Sequence, residues 1–272
     1  MLVQGLKEYR DRVAIVTGAS SGLGEGFARM LARRGARVVL VARRKALLDR
    51  TAGEIVAAGG SALVVPCDVE LRAEVDAAAA QVLERYGRID LLINNAGYNN
   101  HTLFKDHDVA DIEKMMRVNY LSVVYWTKAV LPAMRKQGAG WMVNLSSVAG
   151  KLGQPDEAAY AATKFAIAGL SESLAYEFDP LGIHVMCVHP AVVKTEMFTP
   201  EVMARMPAQA KRSFIDVETF CTAVLAALKR GQYEVTVPRY VAIAYLIRLI
   251  APGFFRKQTA RMRLGVIPNL TT

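Results

Sequence analysis

Cysteine is scarce: Cys67, Cys187 and Cys221 stand far apart, with no C-x-x-C pair. That leaves no disulfide framework and fits free, buried thiols in a reducing compartment. The four histidines, His101, His107, His184 and His189, lack metal-ligand spacing and read as structural or surface residues, so no metal is expected. The opening residues MLVQGLKEYRDR contain no uninterrupted apolar run, so no secretory signal is expected. The apolar run at 240–251 is broken by Arg248 and falls short of the roughly twenty residues that span a bilayer. Acidic residues are missing altogether beyond Glu234, while Arg239, Arg248, Arg256, Lys257, Arg261 and Arg263 lie there. The net charge of +9 is therefore largely C-terminal. With no helix-turn-helix, zinc-finger spacing or aromatic RNA-binding motif, nucleic acid is not an expected partner.

With 53% hydrophobic and 22% charged residues, the chain is globular rather than disordered. Val/Ile/Leu-rich runs at 12–18, 36–43, 62–69, 89–97, 140–147, 183–190 and 233–238 read as strands. Most are continuous rather than alternating, as strands covered on both faces require. Longer helical patterns separate them, including one reading as a single helix over 112–138. Repeated strand–helix units predict an α/β fold: one doubly wound parallel sheet of about seven strands with helices on both faces. The expected organisation is one domain over 1–238, with a lid at about 196–215, and a basic, apolar appendage over 239–272. In such a sheet, ligands gather at the carboxyl ends of the strands.

The first strand runs into TGASSGLGEGF, where Gly18, Gly22 and Gly24 allow a tight turn and a helix N-terminus to meet an anion. The pattern is T-G-x-x-x-G-x-G, neither G-x-G-x-x-G nor a P-loop. About twenty residues on, where an acidic residue would read the ribose hydroxyl of NAD, stand Ala42, Arg43 and Arg44. Guanidinium groups there favour a 2′-phosphate and hence NADP(H).

Further along lie NNAG at 94–97, Asn119, NLSSVAG at 144–150 with Ser147, and Tyr160 followed four residues later by Lys164. Taken with TGASSGLG, this set resembles the short-chain dehydrogenase/reductase family over roughly residues 10–238. The resemblance implies a Rossmann-type fold and a catalytic set of Asn119, Ser147, Tyr160 and Lys164. Tyr160 would be the general acid/base, aided by the Lys164 charge one helical turn away. Ser147 would bond the substrate oxygen, Lys164 the nicotinamide ribose, and Asn119 a water relayed from Lys164. Taken alone, Asn119 reads as a tolerated surface residue. Cofactor contacts are implied for Gly18, Ser20, Ser21, Gly22, Leu23, Gly24, Arg43, Arg44, Asp68, Val69, Asn95, Ala96, Gly97, Tyr160, Lys164, Val193 and Thr195. The chain departs from the family at Pro190-Ala191, where Pro-Gly is usual.

The lid carries Met197, Phe198, Met203, Met206 and Phe214, an adaptable apolar set that favours an apolar ketone or aldehyde and its alcohol over a sugar. The same residues suit a 3-oxoacyl-thioester reductase, whereas a non-catalytic NADP-binding scaffold has no need of the Ser–Tyr–Lys set. Tyr98, Asn99 and Asn100 are expected beside the pocket. The family implies a homo-oligomer, dimer or tetramer, paired through the helices around 106–137 and 157–178. A cytoplasmic location is expected, and two placements of the tail stay open at this stage: peripheral contact with an anionic membrane, or packing against the body or a neighbouring subunit.

Overall fold

A computed structural model of the chain describes residues 4–196, 203 and 214–261. Its strands are β1 (Val13–Thr17), β2 (Arg37–Ala42), β3 (Ser61–Pro66), β4 (Leu91–Asn94), β5 (Gly140–Leu145), β6 (Ile183–Pro190) and β7 (Glu234–Val237). They form one all-parallel sheet in the order β3-β2-β1-β4-β5-β6-β7. The helices are α1 (Gly22–Arg33), α2 (Lys45–Ala57), α3 (Arg72–Tyr86), α4 (Val109–Met116), α5 (Ser122–Gln137), α6 (Ala158–Phe178) and α7 (Val217–Lys229), followed by α8 (Ile243–Ile250) and α9 (Pro252–Arg261). All seven expected strands are present, most of them trimmed at their ends.

The continuous apolar runs have a direct cause in the two cores. Along β1, Ala14 and Val16 face a core holding Phe27 and Leu31 of α1 and Phe220 and Val224 of α7. Val13 and Ile15 face the opposite core, with Val82 of α3, Trp126 and Val130 of α5, and Phe178 of α6. Side chains alternate across a strand, so a strand with a core on each side has no position left for a polar residue. The order reverses between β1 and β4, which opens a crevice at their carboxyl ends.

One expected element differs. The stretch read as a single helix over 112–138 is two helices, α4 and α5, joined by a π-helical turn at Arg117–Leu121. The wide turn carries Asn119 into the interior, where it is fully buried. The surface reading of Asn119 therefore fails.

At the opposite end of the sheet, the buried carboxylate of Asp90 ties β1 to β4. It accepts bonds from Val13 N (2.9 Å), Arg12 Nη1 (2.9 Å), Arg88 Nε (2.9 Å) and Arg88 Nη2 (2.6 Å). Burial pushes this carboxyl upward, but the bonds from Arg88, Val13 and Arg12 outweigh it and hold it below its ordinary range. A depressed carboxylate adds stability above its unfolded pKa and loses it as pH falls through the folded one. Asp90→Asn is expected to lower the unfolding free energy by about 2 kcal/mol at neutral pH. In urea titrations the gap should close on acidification; a gap that stays constant into acid would show that the charge is not responsible.

Candidate active site

The crevice between β1 and β4 is held open by a small set of polar bonds. Thr17, the last residue of β1, accepts at Oγ1 from the backbone N–H groups of Asn95 (2.9 Å) and Ala96 (3.0 Å). Asn95 returns the contact, donating from Nδ2 to Thr17 O at 2.9 Å. Gly18 follows with φ +65°, and a Cβ there would lie 2.8 Å from Asn95 Nδ2 and 2.9 Å from Ala96 Cα. Only glycine fits both the backbone angle and the space. The Asn95 side chain, expected on the adenosine side, is thus committed to holding the turn, and Thr17, which sequence reasoning missed, is its counterpart.

The turn delivers α1 with its N-terminus at the crevice. Ser21 precedes the helix, yet its hydroxyl makes no cap bond to the first turn. It accepts from Arg44 Nη2 at 2.7 Å instead, while Arg44 also donates from Nε (3.1 Å) and Nη2 (2.9 Å) to Ser20 Oγ. Backbone amides of the first turn, next to Gly22, Leu23 and Gly24, thereby keep their capacity for an anion. A Cβ on Gly22 would sit 3.4 Å from the Thr195 side chain, so the loop after β6 reaches the same place. Val193 anchors that loop by bridging to Ile215. Ala191 adopts no left-handed backbone and donates its N–H to Val237 O at 2.9 Å, so the alanine fits where the family carries glycine. At the ends of β2 and β3, Arg43 Nη1 faces Asp68 Oδ2 at 3.7 Å, and Val69 beside it is buried. The two arginines differ: Arg44 braces the glycine turn, whereas Arg43 is turned toward Asp68 and well exposed.

The other end of the crevice is built on α6. Tyr160 and Lys164 are both buried, and Nζ of Lys164 lies 5.5 Å from the Tyr160 ring centroid. Nζ donates to Leu145 O, the last carbonyl of β5, at 2.8 Å. Burial of the ammonium brings its pKa down to about 8. Tyr160 moves the other way: burial and the nearby Glu157 carboxylate raise its phenol, and a hydrogen bond with the Ser147 side chain offsets this only in part. The charge acting on the phenol in this arrangement is that of Glu157 and not that of Lys164. Asn119 faces the same space. Its Oδ1 accepts from Tyr98 N (2.9 Å), and its Nδ2 donates to Tyr98 O (2.9 Å) and Thr163 Oγ1 (3.2 Å). Between Asn119 and Lys164 stands Gly97, where a Cβ would meet Asn119 Oδ1 at 3.1 Å and Lys164 Nζ at 3.6 Å. The missing side chain keeps a gap between the two polar groups.

Beneath Ser147 is His189, wholly buried, with Nδ1 donating to Ser147 O at 3.0 Å and Nε2 3.4 Å from Glu234 Oε1. The reading of His189 as structural is thereby given a specific place. His184 bonds Gln232 O and packs at a tilt against Tyr233, and His107 pairs with Asp111 at 2.7 Å. Among the described residues no cluster suits a metal ion. The segment after β4 is tied down: Tyr98 OH donates to Asp111 Oδ1 (2.9 Å), Asn100 Nδ2 to Asp111 Oδ2 (3.2 Å), and Asn99 Nδ2 to Glu157 Oε1 (2.9 Å). Of the lid residues, Met197, Phe198 and Met206 lie outside the described residues.

Glu157, three residues before Tyr160, carried no signal in the sequence. Its carboxyl is nearly enclosed, with His101 Nδ1 at 3.6 Å and Asp156 adjacent in a left-handed backbone (φ 59°). Burial and then Asp156 push its pKa up to about 7 from an ordinary 4.5, against the bond from Asn99. A raised carboxyl pKa means that the folded state binds more protons between those values, so stability falls as pH rises from about 4.5 to about 7. Glu157→Gln keeps the Asn99 bond and removes the titration. The variant should match the parent in acid and exceed it above neutrality by on the order of 3 kcal/mol. Thermal melts across that range test this, and a difference that does not change with pH would refute it.

A family model described as short chain dehydrogenase matches residues 12–205. The 3-oxoacyl-(acyl-carrier-protein) reductase of a Synechocystis strain is 37% identical over 187 residues, 68% of this chain and 76% of that protein. The crystal structure of a metagenomic short-chain oxidoreductase in complex with NADP is 34% identical, covering 84% of this chain and 98% of that one at a TM-score of 0.72. A short-chain dehydrogenase/reductase from Burkholderia phymatum in complex with NAD is 26% identical, covering 97% and 99% at a TM-score of 0.82. With the glycine turn, the Ser147–Tyr160–Lys164 end and the reversed strand order already in place, the chain belongs to the short-chain dehydrogenase family of oxidoreductases.

Proposed function

We propose that this oxidoreductase uses NADP(H) to interconvert an apolar ketone or aldehyde and its alcohol, with Tyr160 as the general acid/base. The observation that carries the reading is the convergence of the buried Ser147, Tyr160 and Lys164 at the carboxyl end of β5, beside Gly97 and Asn119. When bound, the nicotinamide cofactor supplies or accepts the hydride. The chain's own residues handle the oxygen and the proton. Ser147 Oγ bonds the carbonyl oxygen, and the neutral phenol of Tyr160 donates its proton as charge develops there. Lys164, with its pKa brought to about 8, holds a proton that is readily released near neutrality toward the gap that Gly97 leaves beside Asn119.

Gly18, Ser20, Ser21, Gly22, Leu23 and Gly24 would hold the pyrophosphate with Thr195 and the Val193 backbone. Asp68, Val69, Ala96 and Gly97 would line the adenosine and ribose, and Arg43 and Arg44 would take the 2′-phosphate. The fit rests on the uncapped first turn of α1 and on the absence of a carboxylate at the end of β2, where Ala42 stands. One structural relative binds NADP and another NAD. The similarity to a 3-oxoacyl reductase supports a thioester substrate as the second reading. Homo-oligomer pairing through α5 and α6 is supported by the groove between them, where Val124, Leu131, Leu170 and Leu174 lie among Lys128, Arg135 and Glu177.

Following NADPH absorbance with apolar ketones and 3-oxoacyl thioesters, with NADH in parallel, should show turnover on one class and a preference for NADPH. Tyr160→Phe is expected to lower kcat by about a hundredfold or more while NADPH binding stays measurable. Retained activity would place the proton donor elsewhere. Arg43→Asp should raise KM for NADPH about tenfold or more relative to KM for NADH, and the larger effect is expected for Arg43→Asp/Arg44→Asp. An unchanged ratio in both would remove the 2′-phosphate assignment.

A further inference from the structure

After β7 the chain makes a short turn at Arg239–Ala242 and enters α8. Two contacts hold that helix to the body. Thr236 Oγ1 and the Tyr245 hydroxyl are 3.2 Å apart, and Arg248 Nη1 donates to Lys151 O with its guanidinium 6.0 Å from the Phe165 ring. Tyr245 and Arg248 are three residues apart and so share one face. Around the rest of the helix Ile243, Leu246, Leu249 and Ile250 are 60%, 56%, 78% and 71% exposed. A helix on a globular body ordinarily turns its aliphatic stripe inward and its arginine outward. On α8, Ala244, Tyr245 and Ile247 are half-buried while the four other aliphatic residues stay exposed beside the exposed Arg248, so the intramolecular packing considered for the tail leaves that face uncovered by any described residue.

Charge selects the occupant. Arg239 just before α8 and Arg256 and Lys257 on α9 are exposed, and no acidic residue follows Glu234 anywhere in the sequence. Pairing with a second copy through the same face would set cations against cations, since a two-fold interface apposes each patch to itself. The groove between α5 and α6, where Glu177 stands with Lys128 and Arg135 among aliphatic residues, offers a surface carrying both signs of charge for subunit pairing instead. A bilayer with anionic headgroups satisfies both features, taking aliphatic side chains at the acyl boundary and cations at the phosphates. None of the described helices is long and apolar enough to cross a membrane, so the contact is with a surface. We propose that α8, with the flanking Arg239, Arg256 and Lys257, is a docking element for anionic phospholipid membranes, seated through Ile243, Leu246, Leu249 and Ile250.

The test is flotation of the full chain with vesicles of mixed phosphatidylglycerol and phosphatidylcholine, against vesicles of phosphatidylcholine alone. The protein should float with the anionic vesicles, lose most binding in high salt and bind the neutral ones weakly. Leu246→Gln/Leu249→Gln should lower the bound fraction by about tenfold or more. Arg256→Gln/Lys257→Gln should weaken it by roughly fivefold per charge removed. All four side chains are exposed, so the thermal unfolding midpoint should stay at the parent value in both variants, which separates lost docking from misfolding. Absence of flotation by the parent chain, or equal flotation by the leucine variant, overturns the proposal. So does a parent that ignores the vesicles but drops to a smaller oligomer on Leu246→Gln/Leu249→Gln, which would assign the face to a second copy.

Discussion

An ammonium group in a protein interior needs a fixed acceptor, and the candidate site is arranged around one such pair: Lys164 Nζ and the carbonyl of Leu145. That carbonyl ends β5, which is paired to β4 on one side and β6 on the other, so the acceptor cannot drift. The helix bearing the lysine is fixed just as closely. Ser146 Oγ donates to Lys164 O at 2.8 Å, and a Cβ on Gly150 would sit 2.6 Å from the same oxygen. Strand, turn and helix therefore meet at a single residue. Sideways, the Asn94–Asn144–Ser171 ladder carries the same rigidity across β4, β5 and α6, with contacts of 2.9 and 3.0 Å.

Burial then acts on Glu157, Tyr160 and Lys164 in the same sense, toward the neutral form. It lowers Lys164, raises Glu157 and raises the phenol itself. Under the proposed chemistry this matters for direction. A phenol kept protonated is suited to donating to a developing alkoxide, and an amine with a pKa near 8 is suited to resupplying that proton. Glu157 and Lys164 flank the phenol, three residues before and four after, and of the two it is the Glu157 charge that raises the phenol. The charge state of the carboxylate depends on the enclosure made by Asn99, His101 and Asp156, none of which belongs to the family's catalytic set.

The sheet was legible because double-sided burial leaves continuous apolar runs, and the glycine turn was legible because its backbone angle admits little else. The π-helical turn was not: one extra residue per turn leaves no compositional trace, and Asn119 looked like a surface residue until the turn rotated it inward. Arg43 and Arg44 were equally readable as cations, but only folding distinguishes the one bonded to Ser20 and Ser21 from the one facing Asp68. Thr17 and Glu157 escaped notice, and His189 was readable only as structural or surface, for a shared reason. Their roles come from groups distant in the chain or from enclosure, as with His189, whose partner Ser147 lies 42 positions earlier. Local pattern carries neither kind of information.

The tail follows from the same geometry. Lys151, whose carbonyl accepts from Arg248, extends its own ammonium to Glu234 at 3.0 Å. Glu234 lies 3.4 Å from His189, and His189 holds the carbonyl of Ser147. These contacts run from α8 to the catalytic end of the sheet in four steps. Such a chain of neighbours does not by itself carry energetic coupling. What it settles is position: α8 is moored beside the carboxyl ends of β5 and β6, where the substrate oxygen is expected, rather than at the Asp90 end. The half-buried Tyr245 is bonded to Thr236 and the exposed Arg248 to Lys151 O, so turning the helix over to hide the aliphatic residues would separate both side chains from the partners that now bind them.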